Sequence, residues 1–313
     1  MINKNNGGAP MSLLAIFLLL LLLWFPALSI QGAQQGLLLW FQVVLPTLAP
    51  FLICTQAIVA LGGIHLLIRP VYPLFRVLFG LSPSGAYVLL CGMLCGYPLG
   101  ARLCAQFQMS GRISMEEARY LFAICNHPSP MFLLGYVCGQ LPFAVHPVFL
   151  LLCLYLPILP ISMAARLVYG IPHLQSTPKE LAQNQRSHFA LEELIASACE
   201  TMVLIGGYIM LFSILAVWIS RLPGISDTGK ALLIGLTEIT TGIHQLCIGL
   251  PHRDLLPILA AVTAFGGLSG IFQTKSVIKN AGLSIRHYVG WKAIHALLSL
   301  ILTLILLGFL PHW

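Results

Sequence analysis

Apolar residues run through this chain in long blocks, and the polar ones collect in short intervals between them. The first block, residues 11–30, is about 20 residues of mainly Leu, Ile and Phe, enough to cross the hydrocarbon core of a bilayer as a helix. Lys4 before it and Gly32 and Ala33 after it also fit a signal peptide, but the apolar run is longer than a signal core, which favours an uncleaved helix. A second block, residues 36–63, carries Pro46 and Pro50, which kink a helix. Arg69 and Arg76, with Pro70 and Pro73, then mark an interfacial connection.

Four of the later blocks are interrupted at their centres. Residues 84–109 break at Gly96-Tyr97-Pro98-Leu99-Gly100, and residues 116–140 at Asn126-His127-Pro128-Ser129-Pro130. Residues 229–249 carry Thr237-Glu238-Ile239-Thr240-Thr241-Gly242, and residues 255–278 carry Gly266-Gly267-Leu268-Ser269-Gly270. Glycine and proline free backbone groups that lipid cannot satisfy, so such breaks persist only where they are buried in protein or line a cavity. Uninterrupted blocks at residues 142–168, 194–220 and 288–309 read as simple spans. Ser114 followed by Glu117 has the form of a capping box at the start of the 116–140 segment.

Loop charge bears on whether residues 84–109 span or re-enter. If they span, Arg69 and Arg76 lie opposite Arg112 and Arg119; if they form a hairpin, all four lie together, as the positive-inside rule prefers. Each half of the chain then reads span, short interrupted segment, broken span, span, and an odd number of crossings in the first unit inverts the second. The predicted fold is an all-α polytopic inverted repeat preceded by one extra helix. It divides into an N-terminal transmembrane helix (1–35), a first repeat (36–169), a cytoplasmic loop (170–190) and a second repeat (191–313). This topology puts Lys4, Arg69, Arg76, Arg102, Arg112, Arg119, Arg166, Lys179, Arg186, Lys275, Lys279, Arg286 and Lys292 on one side, thirteen of the 16 basic residues. That side, which includes the N-terminus, is the cytoplasm. Exchanging the roles of 229–249 and 255–278 gives an equally good count; segment order favours 229–249 as the hairpin.

Composition narrows the classes further. Of 313 residues 58% are hydrophobic and 8% charged, against about 25% charged in a soluble domain, so the chain is an integral membrane protein. The net charge of +7 reports topology, and no basic face with interleaved aromatics suggests nucleic acid. Nine cysteines scattered in apolar stretches lack metal spacing and read as small buried hydrophobes. No metal pair, nucleophile and base pair or cofactor motif points to an enzyme.

Polar residues at membrane depth are costly and usually functional. Arg102, just past the tip at Gly96, Tyr97, Pro98 and Gly100, could hold a carboxylate in a central cavity or snorkel to the surface. Asn126, His127 and Ser129 at the first broken span, and Ser269 and Gln273 near the second, are candidates to bind a polar solute with freed backbone amides. Glu238, with Thr237, Thr240 and Thr241, could hold a coupling Na⁺ or exchange a proton. These patterns describe a secondary transporter of a small solute in the lipid bilayer; a non-transporting membrane scaffold for envelope assembly is the alternative.

Five motifs in order carry a resemblance over residues 36–309. They are Pro46-Thr47-Leu48-Ala49-Pro50-Phe51, Gly96-Tyr97-Pro98-Leu99-Gly100-Ala101, the stretch from Asn126 to Phe132, Gly235-Leu236-Thr237-Glu238-Ile239-Thr240-Thr241-Gly242 and Gly266-Gly267-Leu268-Ser269. The chain resembles the sporulation integral membrane proteins within the wider nucleoside-recognition, or Gate, group. The resemblance implies a fold like the concentrative nucleoside transporters and transport of dipicolinate, a small aromatic dianion, across a membrane around the forespore. Nucleoside transport is the further alternative. Cys95, where that group suggests Ser, and His127 beside Asn126 depart from the expected pattern.

Overall fold

The computed structural model describes residues 8–171 and 190–309, all helix and connecting turns. Lys4, Lys179, Arg186 and nearly all of the loop expected at 170–190 lie outside the described residues.

Helix α1 (Gly8–Trp24) ends at Phe25, and α2 (Pro26–Leu39) begins immediately with proline in its first turn, where a missing N–H costs nothing. A π turn at Trp40–Val44 joins α2 to α3 (Leu45–Ala60), making one 35-residue apolar helix. The first two blocks therefore meet at Phe25-Pro26 and not near residue 35. The expected boundary falls inside a continuous helix because nothing but that proline punctuates the apolar run.

Short α4 (Ile64–Ile68) and α5 (Tyr72–Phe79) follow, and α5 buries Phe75 and Phe79 while Arg76 is exposed. At Gly80, in the left-handed conformation, the chain turns by 96° into α6 (Pro83–Cys95). Helix α6 and α7 (Leu99–Met109) fold back on each other, with Gly92 against Gly100. At about 1.5 Å per residue, arms of 13 and 11 residues reach only part-way into a core of about 30 Å, so this segment is a hairpin.

The first broken segment is α8 (Met115–Ile124), an extended stretch, then α9 (Pro130–Phe132), a π turn at Leu133–Val137 and α10 (Cys138–Gln140). Ser114 caps α8 by accepting from Glu117 N at 3.1 Å. Glu117 also accepts from Ser82 N at 2.9 Å and so ties α8 to the start of α6. Helices α11 (Pro147–Tyr155) and α12 (Ile158–Tyr169) form the next span.

The second half contains α13 (Leu191–Ser220), α14 (Asp227–Thr237), α15 (Ile239–Gly249), α16 (His252–Phe265), α17 (Gly267–Val277) and α18 (Ile285–Phe309). Helices α14 and α15 fold against each other so closely that a Cβ on Gly242 would meet the Gly235 backbone. By contrast α16 and α17 run on as one 26-residue apolar span with its break at Gly266. The hairpin of the second half is thus residues 229–249, as segment order predicts.

Contacts give the relative directions. Gly32 lies against Ile214, Gly36 against Met210 and Trp40 against Gly206, so α2 and α13 are antiparallel. Close approach depends on the glycines: a Cβ at Gly32 would sit 2.6 Å from Ile214 Cα, and at Gly36 2.8 Å from Met210 Cα. Tyr169 meets Trp291 and Leu154 meets His295, so α11–α12 oppose α18. Phe122 stacks on Tyr288 and His127 meets His295, so α8 runs with α18; Gly266 beside Lys292 shows α16 packed against the same helix. The two halves are related by inversion, with α1 preceding them.

Tyrosine hydroxyls tie the segments together: Tyr155 Oη donates at 2.7 Å to Pro128 O within the first break, Tyr136 Oη at 2.7 Å to Thr240 O beside the α14–α15 break, and Tyr87 Oη at 2.7 Å to Thr55 O inside α3. Of the nine cysteines, all free, Cys91, Cys95, Cys104, Cys125 and Cys153 are buried, whereas Cys54 and Cys199 are exposed.

Candidate functional site

The four breaks converge. Gly96 and Tyr97 from the first hairpin, Ser129 from the first broken segment, Glu238 and Thr240 from the second hairpin, and Ser269 and Gln273 from the second broken span line one cavity. Thr47 of α3 and Ile209 of α13 complete its wall. Its volume is about 60 Å³, room for a few waters at about 10 to 15 Å³ each.

Each polar group is set by its local fold. Gly96 adopts φ +86°, and a Cβ there would lie 2.9 Å from Ser129 N, so only glycine lets the hairpin tip meet the broken segment. Ser129 caps α9 by accepting from Phe132 N at 3.2 Å. Glu238 is the extended residue between α14 and α15, and its Oε2 accepts from Thr241 N at 2.7 Å and from Thr240 Oγ1 at 2.6 Å. Gln273 donates to Ser269 Oγ at 3.0 Å one turn away on α17.

Other expected site residues lie elsewhere. Asn126 is buried outside the cavity, donating to Thr274 Oγ1 at 3.0 Å and Tyr288 Oη at 2.7 Å, so its side chain locks the two halves together. His127 is buried with Nε2 on Ile124 O at 2.7 Å. Gly100 serves close packing, and Thr237 bonds Leu233 O at 2.8 Å within its own helix. Arg102 neither enters the cavity nor snorkels free: its guanidinium donates to Ser197 Oγ of α13 at 2.8 Å and, with Pro98, lines a separate small crevice. One helical turn from the tip turns it toward α13. Thr241 faces a wider polar recess of about 350 Å³, with Gln31, Gln35, Ser220, Arg221 and Gln245. Glu238 thus joins cavity and recess through its two threonines.

Lys292 was assigned above to the basic rim, but it is 2% exposed inside α18, with Nζ 3.3 Å from Asn126 O and 5.7 Å from the Tyr97 ring centroid. The missed signal is a polar stripe. Tyr288, Lys292, His295, Ser299 and Thr303 recur every three or four residues and are all buried, so they mark the inner face of α18.

Among the described residues, five apolar helices long enough to cross a bilayer, two hairpins and a cavity at their tips define a polytopic α-helical membrane protein. The chain is similar to the sporulation integral membrane protein YlbJ of Bacillus subtilis (strain 168), at 25% identity over 316 residues covering 87% of this chain and 76% of that one. No family model matches the chain. No solved structure matches it.

Proposed function

We propose that the protein is a secondary transporter of a small polar or anionic solute, binding it where the hairpin tips and broken spans meet. The observation that carries this reading is the convergence of Gly96, Ser129, Glu238 and Ser269, from four separate broken segments, on one cavity. A scaffold needs no such convergence, whereas a carrier needs freed backbone and hydroxyl groups at mid-depth on elements that can move. The motif resemblance favours dipicolinate as the solute, and the similarity to a sporulation integral membrane protein fits a role in sporulation.

In this reading Tyr97, Ser129, Ser269 and Gln273 contact the solute, while Glu238 and Thr240 hold the coupling Na⁺ or proton. A cavity of about 60 Å³ is too small for an aromatic diacid, so this conformation is the closed one. Loading requires a hairpin to part from its broken span. The recess at Thr241 and Arg221 is the approach from the side opposite the basic rim, and the basic rim, read as cytoplasmic, is the other exit.

Solute-dependent thermal stabilisation of the purified chain in detergent tests the proposal. A ligand present at about 100 times its Kd stabilises the state that binds it by about 2.7 kcal/mol. Dipicolinate or uridine raising the melting temperature saturably supports a carrier; a well-folded protein whose melting is unmoved by either, or by a wider set of small acids, contradicts it.

A further inference from the structure

Lys292 is a strongly polar group near the cavity that has no part in the proposed solute or ion site. It stands two turns into α18, 2% exposed, and no carboxylate among the described residues forms an ion pair with it. Its ammonium meets only the Asn126 carbonyl, at 3.3 Å, and the face of Tyr97, at 5.7 Å. A charge removed from water without a counter-charge is costly, and these two contacts offset it only in part. The His127 and His295 rings, 4.7 Å apart, flank it from α8's break and from the next turn of α18, and neither supplies negative charge.

Tyr97 relates this lysine to the solute cavity. Its ring lines the cavity and also carries Lys292 over its face, and its buried hydroxyl has no hydrogen-bond partner. Gly266 and Gly270 form the surface on which the ring rests, leaving it no side chain to interlock with there. An ammonium and a phenolic hydroxyl, both short of acceptors, the second on a ring that lines the cavity, match the needs of a carboxylate.

We propose that Lys292 is the charge that receives a carboxylate of the transported solute, with the Tyr97 ring as the movable partition between it and the cavity. The proposal rests on the carrier reading and moves the anion-binding role from Arg102 to Lys292. It also separates two uses of a buried lysine. A structural lysine loses stability when truncated, whereas one awaiting an anion leaves the empty protein as stable or more so when replaced by an apolar residue.

The test uses the full chain in detergent, comparing wild type, Lys292→Met and Lys292→Arg, with dipicolinate as the dianion and uridine as the neutral probe. The expected result has three parts: Lys292→Met melts at or above the wild-type temperature without solute, binds dipicolinate at least about tenfold more weakly, and Lys292→Arg recovers part of the affinity. Unchanged dipicolinate affinity in Lys292→Met would overturn the proposal and leave the carrier reading intact. So would Lys292→Met that is strongly destabilised without solute, or a wild type that responds to uridine and not to dipicolinate. A wild type that responds to neither probe, nor to a wider set of small acids, overturns both readings together.

Discussion

Gly92 and Gly100 face each other across the first hairpin with the Cys125 carbonyl between them. That carbonyl belongs to the last turn before the break in the first broken segment, and the two bare Cα atoms are what lets it approach. Either glycine given a Cβ would occupy the position of the oxygen. We therefore expect Gly100→Ala to cost about 1–3 kcal/mol, since overpacking at a backbone contact forces the hairpin away from α8. A lowered melting temperature and folding yield in detergent would show it; wild-type melting would mean that the hairpin and break do not meet as described.

Asn126 joins the two halves from outside the cavity. Asn126→Ala removes the amide that donates to both Thr274 and Tyr288 and leaves that buried cluster short of a hydrogen bond, at a cost of about 1–3 kcal/mol. The expected outcome is a protein of lower thermal stability whose surviving folded fraction keeps its solute affinity. Affinity lost at unchanged stability would put Asn126 back among the ligands.

Glu238 separates charge from capping. Glu238→Gln retains an oxygen that can accept from Thr241 N, so the start of α15 is kept, while the negative charge is lost. Transport should fall at least about tenfold with folded protein unchanged, whereas Glu238→Ala should also lose about 1 kcal/mol of stability. Uptake at the wild-type rate in Glu238→Gln would remove the coupling role.

Arg102→Ala should change solute affinity by less than about threefold, because its guanidinium is turned to Ser197 and away from the cavity. Titration of melting temperature with dipicolinate reads this directly. A large loss of affinity would show that the loaded state recruits Arg102.

Most of the architecture was legible because each break has a chemical cause in the chain. Gly96-Tyr97-Pro98, Asn126 to Pro130, Glu238 among its threonines and Gly266-Gly267 all mark helix ends found in the structure. Two things were hidden. The α1–α2 boundary falls in uniformly apolar sequence, where only Pro26 marks it, and hydropathy alone cannot place a turn there. Lys292 follows the basic residues Lys279 and Arg286 so closely that a count of charges absorbed it, although the spacing of Tyr288, Lys292, His295 and Ser299 puts it on an inward face. Side-chain direction decided the rest: Arg102 is one turn from the tip, and the turn of the helix sends it to α13.

The central claim is that the convergent breaks form a working solute site. Uptake of labelled dipicolinate and labelled uridine into proteoliposomes, each with and without an inward Na⁺ or proton gradient, tests it most directly. Saturable, gradient-stimulated entry of dipicolinate, lost in Glu238→Gln, is the predicted result. No uptake of either solute under any gradient, by protein shown to be folded and inserted, would contradict it and favour a scaffold in the membrane.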